Sequence, residues 1–186
     1  MSKSIFIALA SKINLLEKDM ECLSHSVENF ISMPKQYRDA WTFNAAVGKG
    51  IQSAYSGMED VMKVIAKDID QYVPSGDQSH QDLLDQMHTE TGDRPAILDD
   101  HMYELMCGLK SFRHFVMHRY GAELRTNGVL ENLRRLKQAH PLFVKTLMGL
   151  EEKMTGEASL IKPAQVKFKG SNIMDVLSQS DDDIAR

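Results

Sequence analysis

Apolar residues recur in steps of three and four along most of the chain. Such steps place side chains on one face of an α-helix, so they predict long amphipathic helices that pack together. Four series share this spacing: Leu9 to Phe30, Val47 to Tyr72, Leu98 to Val116, and Val129 to Met154. Strand-like alternation of useful length is absent from the sequence. The pattern predicts an all-α bundle of long helices.

Turn-forming residues separate the four series. Met33-Pro34 ends the first series, Pro74-Ser75-Gly76 ends the second, and Gly92-Asp93-Arg94-Pro95 is expected to start the third helix. Residues 78–89 predict a short acidic helix before it. Pro141 falls inside the fourth series, where we expect a kink or a break.

Three glycines, Gly48, Gly50 and Gly57, lie within the second series, where they would let a neighbouring helix approach closely. Trp41, near the start of that series, is interpreted as an interior or dimer anchor.

Length and composition favour one domain. With 186 residues and 42% hydrophobic content, the chain can bury one proper core. Residues 1–155 are therefore predicted to form the helical domain. Residues 156–186 lose the helical periodicity and end in a polar run, so they are predicted to form a flexible C-terminal tail.

The two cysteines, Cys22 and Cys107, match no metal-ligand spacing and are interpreted as buried, reduced thiols. The N-terminal sequence has no hydrophobic signal core, and no stretch approaches the roughly 20 apolar residues that cross a bilayer. These features predict a cytoplasmic protein with no membrane partner.

Charge is unevenly distributed around a net value of −4. Residues 56–104 carry twelve acidic and three basic side chains, whereas residues 110–145 carry eight basic and two acidic ones. A positive segment favours a polyanionic partner such as nucleic acid. Solvated helix faces that complement each other between subunits explain the same pattern equally well.

The positive segment contains the pattern Arg-x4-His-x-Tyr, filled by Arg113, His118 and Tyr120. A histidine that titrates near neutral pH beside an arginine suits phosphodiester cleavage without a metal. On an ideal helix, however, Arg113 and His118 point about 140° apart. Either the helix opens near Gly121 or the groups converge from two subunits.

This pattern resembles the signature of the HEPN superfamily of helical ribonucleases. Its extended form is similar to HepT toxins, which are paired with MntA-type minimal nucleotidyltransferase antitoxins. The segments 50–59, 74–77 and 80–87 also look like the HepT-like core, and the resemblance covers roughly residues 10–150. It implies a HEPN-like antiparallel bundle with four to five main helices.

The resemblance implies a toxin that forms a homodimer and cleaves RNA in a shared cleft without a metal or other cofactor. His118 would be the general acid or base, and Arg113 would stabilise charge on the phosphate. His114 would be a second acid-base or positioning group, or only a structural hydrogen-bond partner. The basic residues expected to bind RNA are Lys110, Arg119 and Arg125, although Arg119 is as readily a surface charge.

Tyr120 corresponds to the HepT tyrosine to which the antitoxin attaches AMP. The resemblance therefore implies a cognate MntA-like partner that silences the toxin by modifying Tyr120. The simpler interpretation is a tyrosine that packs at the helix end.

Two alternatives remain open. His114 and His118 stand four residues apart, and Asp99, Asp100, His101 and Glu104 precede them, so a metal-binding helical bundle is conceivable. The other alternative is a non-catalytic HEPN module that binds nucleotides or a protein. His25, His80, His88 and His140 are interpreted as surface or satisfied interior side chains.

Overall fold

The computed structural model describes residues 3–118, 124–166 and 168, and these residues form five α-helices and no strand. The helices are α1 (Lys3–Ser32), α2 (Ala40–Asp68), α3 (Ser79–His88), α4 (Asp100–His118) and α5 (Thr126–Thr155). A single 3-10 turn, Lys35–Tyr37, joins α1 to α2. The predicted all-α bundle is confirmed, including the short helix between the second and third series.

The helices α1 and α2 pack as a close antiparallel pair. Leu23 lies against Gly50 and Leu16 lies against Gly57, so residue numbers rise along one helix as they fall along the other. A Cβ atom added at Gly50 would lie 2.7 Å from Cδ1 of Leu23. The glycines of the second series therefore do permit close approach of a neighbouring helix.

Helix α2 occupies the centre of the bundle, because it contacts each of the other four helices. Its start is stabilised by Asp39, whose carboxylate accepts a hydrogen bond of 2.8 Å from the backbone N–H of Thr42. Such an N-cap satisfies one of the backbone donors that the first turn of a helix leaves unpaired. A central helix can bring a polar side chain into contact with several neighbours at once, and Glu59 occupies such a position.

The start of α4 differs from the expectation. The chain from Thr89 to Asp99 remains a loop, and α4 begins only at Asp100. Arg94 anchors this loop, since its guanidinium is completely buried and forms a bidentate pair with Asp70 at 2.7 and 2.6 Å. It also donates to three backbone carbonyls, so the loop is held without helical hydrogen bonds.

Helix α5 continues through Pro141, so a break at this position is wrong. Proline removes one backbone donor, but the buried residues on either side keep the helix against the core. His140 is among them, and its Nε2 lies 2.8 Å from Oε1 of Glu17 on α1. Tertiary contacts thus outweigh the local defect.

The segment that follows α5 contains no further helix up to residue 166. Gly156 ends α5 in the left-handed conformation, with φ of 70°. The backbone N–H groups of Leu160 and Ile161 then donate to the Glu151 carboxylate, and Ile161 is buried. The described part of the predicted tail therefore lies along the bundle, and residues 167 and 169–186 are outside the described part.

Trp41 and Tyr72, both predicted to belong to the second helix, lie outside the core. Trp41 is 58% exposed, so its interpretation as an interior anchor is wrong. Tyr72 is also exposed, because α2 ends at Asp68 before the second apolar series is complete. Among the described helices, none is long and apolar enough to cross a membrane.

Candidate functional site

A cavity of about 380 Å³ lies where α3 faces α4. Each residue that lines it has a polar or charged side chain, and basic groups outnumber acidic ones: Asp77, Gln78, His80, Gln81, Lys110, Ser111, Arg113 and His114. Known ligand sites have volumes of roughly 300–1,000 Å³. The cavity is therefore large enough for a small anionic group and some of the atoms bonded to it.

Arg113 forms the inner wall of this cavity. It follows the buried Phe112 on α4, so its side chain extends along the helix interface and remains only 20% exposed. Its Nε lies 3.7 Å from Oε2 of Glu59, and its Nη1 lies 3.4 Å from Nε2 of His80. The guanidinium is thus held between residues of α2 and α3.

Glu59 is the buried centre of this arrangement. Its side chain is 2% exposed, and its Oε1 lies 2.6 Å from Nδ1 of His80. Because a buried carboxylate requires charged or hydrogen-bonding partners, Arg113 and His80 together explain how this glutamate is tolerated in the core.

Tyr55 lies one helical turn before Glu59 and is completely buried. Burial raises the pKa of its hydroxyl, and the nearby Glu59 carboxylate raises that pKa further. The phenol therefore stays protonated at every physiological pH. Tyr55 and Glu59 are thus two neighbouring buried groups of α2 beneath Arg113 and His80.

A hydrogen-bond network joins α3 to α4 beside the cavity. The ammonium of Lys110 donates to the side-chain oxygen of Gln81, whose amide donates to Asp85 and to Tyr103. Tyr103 in turn donates to Asp85 at 2.6 Å, and this hydrogen bond is the main cause that raises the pKa of Tyr103. The network places the Lys110 charge at the cavity wall.

His114 and His118 lie on the exposed side of α4. Their ring centroids are 4.3 Å apart, with planes inclined by 48°. His114 also lines the cavity beside Arg113, whereas His118 is not among its described lining residues. One chain thus brings together Arg113, His114 and Lys110 and leaves His118 outside.

The remaining predicted site residues are more distant from the cavity or lie outside the described part. Arg125 is exposed at the start of α5 and is not among the described lining residues. Arg119 and Tyr120 lie outside the described residues, as does Gly121, so the expected end of the helix near Gly121 is not described.

Two members of the site, Glu59 and His80, were not predicted from the sequence. His80 was interpreted as a surface or satisfied interior histidine, yet it contacts both Glu59 and Arg113. A signal was available: Glu59 stands four residues after Tyr55 and three before Met62, on a face of α2 where apolar residues predominate. A carboxylate in that position requires partners from other helices.

No cluster of three or more His, Cys, Asp or Glu side chains that could hold a metal ion occurs among the described residues. His101 and Glu104, which the metal-binding alternative invoked, are among these described residues. Both cysteines are free, and Cys22 is exposed on α1, which corrects the expectation that it is buried.

A protein-family model described as HepT-like protein matches residues 46–154. The match covers more than half of the chain and extends from α2 to the last turn of α5, so it includes all the cavity residues named above. Comparison with curated proteins and with solved structures found no match.

Proposed function

The chain belongs to the HepT-like family of HEPN-type proteins, and from this premise we propose that it is a metal-independent endoribonuclease, the toxin of a toxin–antitoxin pair. The observation that carries the proposal is the position of Arg113 at the wall of a polar cavity, beside His80 and His114. Phosphodiester cleavage without a metal requires a cation that stabilises the charged phosphate and groups that transfer protons, and an arginine next to imidazoles supplies both.

Arg113 would bind the scissile phosphate. Its guanidinium is held in place by Glu59 and His80, so little side-chain entropy is lost when an anion binds. As negative charge builds on the phosphate oxygens, a fixed donor in a partly buried site stabilises the transition state more than a mobile surface arginine would. Lys110 and His114 add positive charge at the same cavity.

We propose that His118 reaches this site from a second copy of the chain. His118 is exposed at the end of α4 and is not among the described lining residues of its own chain's cavity. In a homodimer whose α4 ends meet across a two-fold axis, each cavity would receive the partner's imidazole. Light scattering should detect a dimer, and a stable monomer at micromolar concentration would exclude this arrangement.

The catalytic proposal is tested by RNA cleavage in EDTA. The unmodified protein should cleave RNA, and His118→Ala should lose about 10²–10⁴ in rate, the usual contribution of a positioned acid or base. Arg113→Lys keeps a positive charge but lacks the planar, two-pronged donor set, so it should also lose most activity. His25→Ala is the matched control, since His25 is exposed on α1, which lies outside the basic segment and contributes nothing to the described cavity lining.

Two results would oppose the catalytic proposal. If His118→Ala and Arg113→Lys cleave RNA as fast as the parent, the motif does not carry the reaction. If EDTA abolishes cleavage by the parent, the reaction depends on a metal. Tight RNA binding without cleavage would favour the non-catalytic binding module instead.

We further propose that a cognate nucleotidyltransferase silences the enzyme by attaching AMP to Tyr120. The support is the family assignment and the position of Tyr120 two residues after His118. Each AMP adds a phosphodiester charge near a site that must attract polyanions, so inhibition would be electrostatic as well as steric.

Intact-mass measurement of the co-expressed protein tests this modification. The parent should gain one or more AMP units, and Tyr120→Phe should gain none while remaining an active ribonuclease. Tyr37→Phe is the matched control, because Tyr37 is strongly exposed but lies outside the motif. An AMP increment that persists in Tyr120→Phe would place the modification elsewhere.

A further inference from the structure

We propose that His80 is a second acid–base residue of the ribonuclease site, oriented by the buried carboxylate of Glu59. This inference rests on the proposed function and deepens it, since the Arg-x4-His-x-Tyr motif includes neither residue. The observation behind it is a histidine that lines the cavity, with one ring nitrogen bound to a buried glutamate and the other facing Arg113.

The contacts determine which ring nitrogen of His80 carries the proton. Arginine has only donors, so the His80 Nε2 that lies 3.4 Å from Nη1 of Arg113 must be the acceptor. Nδ1 then carries the hydrogen and donates it to Oε1 of Glu59 at 2.6 Å. The result is a neutral imidazole whose lone pair is directed at Arg113 in the cavity wall.

The exposure of Glu59 and His80 indicates a different role for each residue. Glu59 is 2% exposed and cannot reach a substrate, whereas His80 is 37% exposed and lines the cavity. A buried carboxylate that fixes the tautomer and orientation of a more accessible histidine is a recurrent arrangement in acid–base catalysis. Glu59 is therefore a positioning residue, and His80 is the residue that would touch the substrate.

The proposed reaction needs two proton-transfer groups. Nε2 of His80 removes the proton from the ribose 2′-hydroxyl, and the 2′ oxygen forms a bond to phosphorus. The bond from phosphorus to the 5′ oxygen breaks, and the leaving oxygen takes a proton from His118. The products are a 2′,3′-cyclic phosphate and a 5′-hydroxyl end. Both histidines then return to their starting states by proton exchange with water.

Arg113 contacts both Glu59 and His80, so it links phosphate binding to the base. When a phosphate draws the Nη1 donor toward its oxygens, the lone pair of His80 is released beside the bound nucleotide. Several charged or titratable groups surround His80 and would influence its pH dependence: Tyr55 and Glu59 on α2, Asp77 before α3, and Lys110, Arg113 and His114 on α4.

The deciding variant is His80→Asn. Its amide nitrogen occupies roughly the place of Nδ1, so the variant can still donate to Glu59 but has no group that accepts a proton at Nε2. Cleavage of RNA should fall by about 10²–10⁴, and the rate–pH profile should lose one ionisation. Binding of a 2′-deoxy oligonucleotide, which cannot be cleaved, should stay at the parent level.

His80→Ala provides a second measurement. Because the histidine is partly exposed, its removal leaves a space open to solvent, and added imidazole should restore part of the rate. His25→Ala is the control, and neither its rate nor its response to imidazole should change. Circular dichroism and the urea midpoint check that each variant is folded.

The failure of this inference differs from the failure of the proposed function. A parent protein that does not cleave RNA refutes the proposed function and this inference with it. A parent that cleaves RNA, together with a folded His80→Asn that cleaves it equally fast, refutes only the role of His80. If His80→Asn loses cleavage and deoxy-oligonucleotide binding equally, His80 only positions Arg113, and its role in proton transfer is refuted.

Discussion

Arg113 is expected to stabilise the fold as well as to bind phosphate, so replacing it should lower the free energy of unfolding. Removing one partner of a buried ion pair destabilises proteins by about 3–5 kcal/mol, because the other charge is left without compensation. Glu59 is the buried partner, and its Oε2 lies 3.7 Å from Nε of Arg113. After Arg113→Ala the carboxylate would keep its contact with His80 but lose the permanent positive charge beside it.

Two features reduce that figure. Arg113 is one-fifth exposed, so water screens part of its charge, and the hydrogen bond from His80 to Glu59 survives the substitution. We therefore expect Arg113→Ala to lower the free energy of unfolding by about 2 kcal/mol. Urea denaturation followed by circular dichroism measures this change, with Arg134→Ala as the exposed control.

A double-mutant cycle separates the ion pair from other effects. Glu59→Gln replaces the buried charge with a neutral amide of similar shape, so the loss of Arg113 should matter less in that background. We expect a coupling free energy of about 1–2 kcal/mol between the two positions. If the two changes are additive within about 0.5 kcal/mol, Arg113 does not stabilise Glu59 and the reasoning is refuted.

Three further predictions test the packing. Gly50→Ala should destabilise the fold by about 1–3 kcal/mol, because the added methyl group overpacks against α1. Gly149→Ala adds a methyl group in open space on α5 and should stabilise the fold by up to about 1 kcal/mol. The urea midpoints of the two variants and the parent measure both changes. Arg94→Ala should destabilise by about 3–5 kcal/mol, because it strands a buried carboxylate, and hydrogen exchange should show the loop before α4 opening first. Burial raises the pKa of Glu17, but the hydrogen bond and charge of His140 outweigh this and lower the pKa below the ordinary 4.5. The ionised Glu17 therefore stabilises the fold above pH 4.5, and this stabilisation is lost as the pH falls through the lowered pKa. Glu17→Gln should therefore be less stable than the parent at pH 7, and the difference should narrow below pH 4.5; an equal difference at both pH values would contradict this.

The sequence determined the helices and most of their buried faces, because amphipathic spacing is a local property. Residues such as Leu16, Met58 and Leu147 lie in the core where their series predicted them. The same reasoning separated Arg113 from His118, because that statement depends only on the angle between positions along one helix.

Tertiary structure decided where α4 begins, whether α5 survives Pro141 and which groups surround Arg113. The first two depended on contacts made by Arg94 and His140 with residues distant in the sequence. The cavity unites side chains from α2, α3 and α4, and helical periodicity says nothing about the rotation and register of one helix against another. Those are set by long-range packing, such as Leu23 against Gly50, so the partnership of Glu59, His80 and Arg113 became visible only in the folded chain.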